Sequence, residues 1–522
     1  MPTTTPYDLL LIGAGHNGLT TAALLAQAGK RVLVLERRAI PGGIAATEEI
    51  FPGVRANTGF PSAHLLHPGV ISQLRLDNGL EFLPSPVSIF APQKEGAALT
   101  FGDEALQATS TTAASLAQFS QKDAARYTEY ATFVKRTAAV LAAMMPLTPP
   151  DLKGPYSMSE LWPWAQVALK ARGLGERDMM EFIRVLPMSS YDFLSEWFES
   201  DAVKGALGLF STLNTMLGPM GAGTALALLY QHTGQTGPRF VKGGAGAVSE
   251  ALMKSAKAFG AEIRLGTGVR QILVENGKVT GVVTTSGETI PAKVVVSSAD
   301  PRHTWFDLVG AYHLPVRVMR RARNVRYRGS TATVHFLLSG LPQFGQSSPD
   351  QLKGWIAINP SLKYLEQAYD AAKYGRISEK PALLAHMPTL HAGAAGPQVL
   401  SVMVRYAPYC LKEGDWTTQK AALEQTVLNT LAEYAPTLPG LVKQTHTITP
   451  LDYEREYGLA EGHWMHGQMG LDQMLMLRPV PGWGRYRTPV EGLYMCGSGT
   501  HPGGGLTGLP GMNAAREILK AG

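Results

Sequence analysis

The stretch Tyr7–Gly43, YDLLLIGAGHNGLTTAALLAQAGKRVLVLERRAIPGG, constrains the fold more than any other part of the 522-residue chain. An apolar run, Leu9 to Ile12, predicts a strand. Gly13-x-Gly15-x-x-Gly18 follows, then an Ala/Leu-rich helical pattern from Leu19 to Ala28 that Gly29 ends. A second apolar run, Val32 to Leu35, leads into Glu36. This is the opening of a βαβ unit that binds an adenine dinucleotide. Gly13 permits the tight turn, Gly15 lets the backbone approach a pyrophosphate, and Gly18 lets the helix lie close to the sheet. The helix start, including Ala14 to Asn17, offers N–H groups and a positive dipole end to the phosphates. Glu36 is placed to accept hydrogen bonds from ribose hydroxyls. A glycine-rich turn that only packs a helix on a sheet is the alternative. The strand before, the helix after and the terminal acid together favour binding.

After Glu36 come Arg37, Arg38, Pro41, Gly42 and Gly43. This extension resembles the flavoproteins of the amine oxidase and phytoene desaturase superfamily. The resemblance implies FAD, with Gly42 and Gly43 against its phosphates and ribityl chain and Arg37 near the adenine ribose.

The chain is long enough for two or more domains. Its net charge of +6 and pI near 9.1 suit an anionic cofactor or lipid surface. No dense Lys/Arg block with interleaved aromatics occurs, which argues against nucleic acid as a partner. Cys410 and Cys496 are the two cysteines and form no Cys-x-x-Cys, so dithiol reductase chemistry is excluded and a reducing compartment is expected, not secretion. The first apolar run has no Lys or Arg ahead of it and reads as a strand, not a signal peptide. No apolar stretch reaches the ~20 residues of a spanning helix. A cytoplasmic location, or a peripheral one on a membrane facing a reducing compartment, is the expectation.

Further along, Asn57–His64 is a Gly/Pro/His-rich loop in which His64, with His67 nearby, is a candidate site residue or an ordinary loop histidine. Ser120-x-x-Asp123 predicts a capping box for a helix whose Tyr127, Tyr130 and Val134 stripe reads as core. Ser195-Glu196-Trp197-Phe198 is expected to start another helix. Gly205–Pro238 contains no Asp, Glu, Lys or Arg and reads as a buried helix pair or the wall of an apolar pocket; it is also the expected membrane entrance. Asn276-Gly277 between apolar runs predicts a hairpin. Thr331–Leu338 and Gln398–Val404 read as strands, with His335 a sheet histidine.

The C-terminal stretch carries the second strong signal. A strand ending at Gly497 is followed by Ser498-Gly499-Thr500-His501-Pro502-Gly503-Gly504-Gly505-Leu506-Thr507-Gly508, then a helix. Such a turn offers N–H groups to an anion or carbonyl, and could stabilise a flavin that becomes negative on reduction. Together with Gly-His-Asn-Gly-Leu at Gly15, Ser-Glu-Trp-Phe-Glu-Ser at Ser195 and Asp-Gln-Met…Arg-Pro at Asp472, it resembles the phytoene desaturase-like FAD oxidoreductases. Within them it is most like the desaturase-type β-carotene ketolases and the pyridine nucleotide-disulfide oxidoreductase domain-containing proteins. The likeness spans essentially the whole chain. It implies an α/β, glutathione-reductase-like two-domain flavoprotein. Residues 1–75, 238–310 and 480–522 would form a Rossmann-type FAD domain. Residues 76–237 and 311–479 would form an interleaved substrate domain of mixed sheet and helices. By the same resemblance FAD would be held by Gly13, Ala14, Gly15, Asn17, Gly18, Glu36, Arg37, Gly42, Gly43, Val269, Gly497, Gly505, Leu506 and Thr507.

The resemblance also implies an FAD-dependent oxidoreductase in which flavin N5 takes a hydride from a long apolar, carotenoid-like substrate, by desaturation or ketone formation. Such chemistry needs orientation and a dry site more than an acid–base dyad. His501 and His466 are the candidate catalytic side chains, His463 a weaker one, each with a structural hydrogen bond as the alternative. Asp472 and Arg478 could pair with each other. No metal is expected, because no His/Cys/acid cluster has ligand spacing. An amine oxidase-like enzyme, or a lipid-binding carrier on the same fold, are the alternatives.

Overall fold

The computed structural model describes residues 7–103, 109–151, 157–213, 215–234, 237–391 and 396–521. Five short strands form an all-parallel sheet in the order Leu493–Met495, Val295–Ser297, Leu9–Ile12, Val32–Leu35, Glu262–Arg264. Leu9–Ile12 and Val32–Leu35 are buried at every position, which is why they read as continuous apolar runs without alternation. The helix His16–Gln27 follows the first strand and packs on the helices Ala245–Ala258 and Leu509–Ala521. Its Ala22, Ala23 and Ala26 are buried, and such small side chains let the three helices lie close together. Thr47 and Asn57, from a two-stranded ribbon, satisfy the start of Ala245–Ala258: Asn57 Oδ1 accepts from Ala245 N–H (2.8 Å) and Thr47 Oγ1 from Gly246 N–H (2.9 Å).

The expected hairpin pairs Val269–Glu275 with Lys278–Thr284, and Thr289–Pro291 adds a third strand. Asn276 (φ 49°) and Gly277 (φ 77°) take the left-handed conformations that such a two-residue turn demands.

A seven-stranded sheet has the order Val442–Ile448, Thr331–Leu338, Gln398–Arg405, Leu383–His386, Trp355–Ile358, Val87–Ala91, Leu99–Gly102. Helices cover it, and Tyr127, Tyr130 and Val134 lie in the apolar core with Phe193 and Phe198. His335 is a buried sheet histidine whose Nδ1 lies 2.9 Å from Ser401 Oγ.

Three local expectations are corrected. Ser120 caps the helix Gln121–Met144, but Asp123 accepts from Glu199 and Ser200 N–H (both 2.9 Å) instead of closing a capping box. Ser195–Trp197 ends the helix Ser190–Trp197 and starts nothing, because Phe198 turns extended to reach the Tyr127/Tyr130 core. Gly205–Pro238 is not a membrane entrance. Its described residues are mostly buried, the helix Thr224–Gln231 entirely so, and Met220 is its one exposed large apolar side chain among them. The absence of charge marks core. No helix among the described residues is long and apolar enough to cross a membrane.

Candidate active site

A cleft opens at the carboxyl end of the parallel sheet. It is lined by Gly13, Gly15, His16, Asn17, Gly18, Glu36, Arg37, Gly42, Gly43 and Val269, and also by Ser298, His303, Tyr457, Leu459, His466 and Ser498. Gly13 (φ 92°) sits against Ser298, where a Cβ would collide with the Ser298 hydroxyl. A Cβ on Gly18 would strike Gly13 O, which sets the close helix–strand approach. A Cβ on Gly15 would meet nothing within 4 Å, since that Cα faces the cleft. The helix that starts at His16 has no side-chain cap and no acid in its first turn, so its N–H groups and dipole are left for an anion. Gly42 N–H donates to Ala14 O (2.8 Å) and holds the double glycine across the turn, with Gly43 facing Gly15.

Glu36 is buried. Its carboxylate accepts from Ala14 N–H (2.7 Å) and Arg38 N–H (2.8 Å), which fixes it at the lip of the cleft. Arg37 donates to Arg455 O (3.2 Å), and burial lowers its pKa. Arg38 pairs with Glu48 (2.6 Å) and lies over the Tyr457 ring. Val269 lines the cleft with Gly268 and Thr285, and Gly268 lies against Arg37. A glycine cradle, a bare helix start, an acid at the end of the second strand and the buried Oδ1 of Asn17, which has no partner among the described residues, fit an adenine dinucleotide. Asn17 Nδ2 donates to Ser498 Oγ (3.1 Å), linking the fingerprint to the C-terminal turn.

That turn separates the cleft from a second, apolar cavity. Gly505 and Leu506 line the cavity with Phe60, Phe210, Trp355, Leu384, Met403 and Trp464; Ser62, His64, Gln231 and Thr331 are its polar lining groups. The two spaces adjoin. His16, in the cleft, has Nε2 3.2 Å from Gly505 O and sits edge-on to Phe60; Met465 lines the cavity and His466 the cleft. Gly497 packs on Ser298 O, and Thr507 Oγ1 accepts from Leu509 N–H (3.1 Å) at the start of the last helix.

The candidate histidines part company. Burial drives His16 and His64 to about 4 and His466 to about 3, with Arg478 adding to the depression at His466, so all three are neutral at pH 7. His466 (φ 52°) lines the cleft with Nδ1 unpartnered among the described residues. His501 lines neither space; its Nε2 lies 3.3 Å from Met144 O, at the end of the helix Gln121–Met144. His463 Nδ1 accepts from Met465 N–H (3.2 Å), and His67 caps the helix Pro68–Gln73.

Asp472 and Arg478 do not pair. Asp472 holds Arg326 (2.6 Å). Arg478, buried, donates to Ser498 O (2.9 and 2.8 Å), Gln473 O, Gln468 O, Gly467 O and Met465 O, and no carboxylate pairs with it among the described residues. It fastens the loop behind the cavity to the turn. Both cysteines are free, and burial pushes the Cys496 thiol up to about 12.

The model of the family described as flavin containing amine oxidoreductase matches residues 18–519. The chain belongs to this family. It is an FAD-dependent oxidoreductase, and its relatives include phytoene desaturases. "Pyridine nucleotide-disulfide oxidoreductase domain-containing protein 2" of Rattus norvegicus is 33% identical over 98% of this chain and 93% of its own. "Phytoene desaturase (lycopene-forming)" of Pantoea ananas is 24% identical over 98% of each. Among solved structures, putrescine oxidase bound to putrescine aligns over 99% of this chain and 98% of its own, with TM-score 0.57 and 17% identity, a likeness of mixed α/β fold alone.

Sequence reasoning did not single out Ser298, His303 and Tyr457 in the cleft, or Trp355, Leu384 and Trp464 in the cavity wall, while its pocket-wall reading of Gly205–Pro238 covers Phe210, Leu213 and Gln231. The Ser297-Ser298-Ala299 run after a strand was the one available signal.

Proposed function

We propose that the enzyme oxidises a long apolar, carotenoid-like substrate by desaturation or ketone formation, on a glutathione-reductase-like two-domain frame. FAD bound in the cleft supplies the acceptor for a hydride from a substrate C–H bond. This chain's own residues bind, orient and keep the site dry. Phe60, Trp464 and Met465 wall the junction of cleft and cavity. Arg478 holds that wall to the Ser498 carbonyl. His466 presents a neutral imidazole to the cleft and can accept or donate a hydrogen bond there without carrying charge.

The observation that carries this reading is the cavity's lining: mostly aromatic and aliphatic, with Ser62, His64, Gln231 and Thr331 as polar groups and no acidic side chain among the described residues. A protonated amine would enter without a counter-charge, which is costly in a buried site. That is the specific point against the amine oxidase-like alternative, which the family and the putrescine oxidase fold likeness support in general terms. The intact FAD cradle counts against a cofactor-free lipid carrier.

Peripheral contact with a membrane belongs to the same proposal, since a polyene partitions into lipid. The exposed apolar side chains suited to it are Met158, Leu161, Trp162 and Leu169 on one helix and Met180 and Ile183 on the next. Replacing Trp162 and Leu169 by Asp should abolish flotation with liposomes; unchanged flotation would remove this part.

The deciding experiment is anaerobic mixing of the flavin-loaded enzyme with polyenes and with amines. Bleaching of the flavin band by a polyene is the expected result. Bleaching by amines alone would replace the reading with the amine oxidase-like one.

A further inference from the structure

Two polar side chains, His64 and Gln231, stand in the wall of an otherwise apolar cavity with unused hydrogen-bonding capacity. His64 is half-buried, and Gln231, which ends the helix Thr224–Gln231, is 6% exposed. Apart from their approach to each other, no hydrogen bond joins the Gln231 amide or His64 Nε2 to any described residue. Neither group is sealed in protein, in contrast to Trp464 Nε1, and the cavity is the space that both line. A buried amide is ordinarily paired, so an open one in a cavity wall marks a place for a ligand atom.

The surroundings fix His64. Ser62 Oγ accepts from Arg239 N–H (3.0 Å) and His64 N–H (3.3 Å). With both lone pairs taken, its own proton is what remains for His64 Nδ1, 3.2 Å away. Nδ1 is then the acceptor, and the ring proton sits on Nε2, the nitrogen that Ser62 does not hold. The segment is also fastened to the C-terminal turn. His67 N–H donates to Thr507 O (3.2 Å), and a Cβ on Gly505 would come within 2.7 Å of Leu65. His64 therefore stands beside the turn whose Gly505 O meets His16 of the cleft. Elsewhere in the wall, Thr331 Oγ1 accepts from Arg405, a buried residue that does not itself line the cavity.

We propose that the cavity takes an apolar substrate that carries one neutral oxygen, a hydroxyl or a ketone, and that His64 and Gln231 are the groups that recognise it. The inference rests on the reading of an apolar-substrate oxidase and narrows it from a hydrocarbon to an oxygenated molecule. A hydrocarbon leaves the imidazole N–H and the amide desolvated and unpaired. An ionised group would meet only uncharged polar partners, since burial holds His64 neutral at pH 7 and the Gln231 contact offsets it only in part. A ketone oxygen answers the Nε2–H and amide N–H donors, and a hydroxyl answers the amide oxygen as well.

The test is equilibrium binding to the flavin-loaded enzyme, read by isothermal titration calorimetry and not by turnover. The probes are β-ionone, β-ionol, and the hydrocarbon and primary amine of the same skeleton. The ketone and the alcohol should bind at least about ten-fold tighter than the other two, the scale of one neutral hydrogen bond made inside a protein. Gln231→Met and His64→Phe, which keep the size of each side chain, should each lower that preference at least three-fold and leave hydrocarbon binding unchanged. A further readout needs no variant: the C=O stretch of bound β-ionone should lie at lower frequency than in a hydrocarbon solvent. It decides the matter should both variants fail to fold. Equal binding of alcohol and hydrocarbon, preference for the amine, a preference untouched in the folded variants, or an unshifted stretch would overturn the inference. Binding of the hydrocarbon in those cases leaves the apolar-substrate reading standing; failure of all four probes to bind would sink that reading, and this inference with it.

Discussion

The dinucleotide cleft and the apolar cavity adjoin and are made in opposite ways. The cleft is drawn largely from backbone: glycines, a bare helix start, and one acid fixed by two N–H groups. Its most specific parts fall within the contiguous run Gly13–Gly43. The cavity is drawn from side chains of segments near residues 60, 210, 231, 331, 355, 384, 403, 464 and 505. A surface made of backbone tolerates many side-chain changes but no crowding. A surface made of side chains can be re-cut one residue at a time.

Four experiments can break or sharpen that contrast. Trp464→Ala, a truncation in the cavity wall, should cost about 3–5 kcal/mol of stability in urea unfolding, the usual range for a buried Trp. Its FAD affinity should stay within about two-fold of the parent, since the indole touches no part of the glycine cradle. A parallel loss of FAD would show that the two spaces are not separable. Gly18→Val should act the other way. A side chain there collides with Gly13 O, and overpacking of about 3 kcal/mol would weaken FAD roughly 100-fold, read by flavin retention and by titration of the apoprotein.

Glu36→Ala leaves the Ala14 and Arg38 N–H groups without their acceptor. It should weaken FAD by about 2 kcal/mol, as expected for loss of a buried charge-assisted acceptor. An unchanged titration would mean that the carboxylate only ties its own turn. The last effect concerns pH and is spread over several pH units. Burial depresses His16, His64, His232, His335, His463, His466 and His501 to between about 3 and about 4. Their unfolded values lie near 6.5, so the unfolded chain takes up protons first. Stability is then fully present above about pH 6.5 and falls as pH drops from there toward 4. His501→Asn should remove at most about 1.4 kcal/mol per pH unit from that slope, measured by urea midpoints across pH 4–7. An unaltered slope would mean that His501 is protonated in the fold.

What could be read in advance follows the same division. The sheet strands around the fingerprint, the Asn276-Gly277 hairpin and the Tyr127/Tyr130 core stripe are set by neighbours within a few residues, and sequence spacing records them. Arg405 was passed over because nothing near it on the chain marks it. Its partners, Thr331 and Thr212, lie far off in sequence. Asp472 and Arg478, six residues apart, looked like a pair, yet each found a partner across the loop: Arg326 for one and a ring of carbonyls for the other. Gly205–Pro238 misled only as a membrane entrance; read as buried helix or pocket wall it was right, since Phe210, Leu213 and Gln231 line the cavity. Absence of charge is shared by lipid-facing and core segments, and only packing tells them apart.

Gly505 and Leu506 line the cavity, and Gly505 O lies 3.2 Å from Nε2 of His16 in the cleft, so on the proposed reading this turn would serve both spaces; Gly505 also holds φ 99°, where side chains are strained. Change of substrate range, whether by descent or by engineering, is thereby steered to the far wall of strand and helix residues. Libraries that spare residues 497–508 and vary Phe210, Leu384, Met403 and Trp355 should retain flavin in most members, and the range of substrates they accept should widen one side chain at a time.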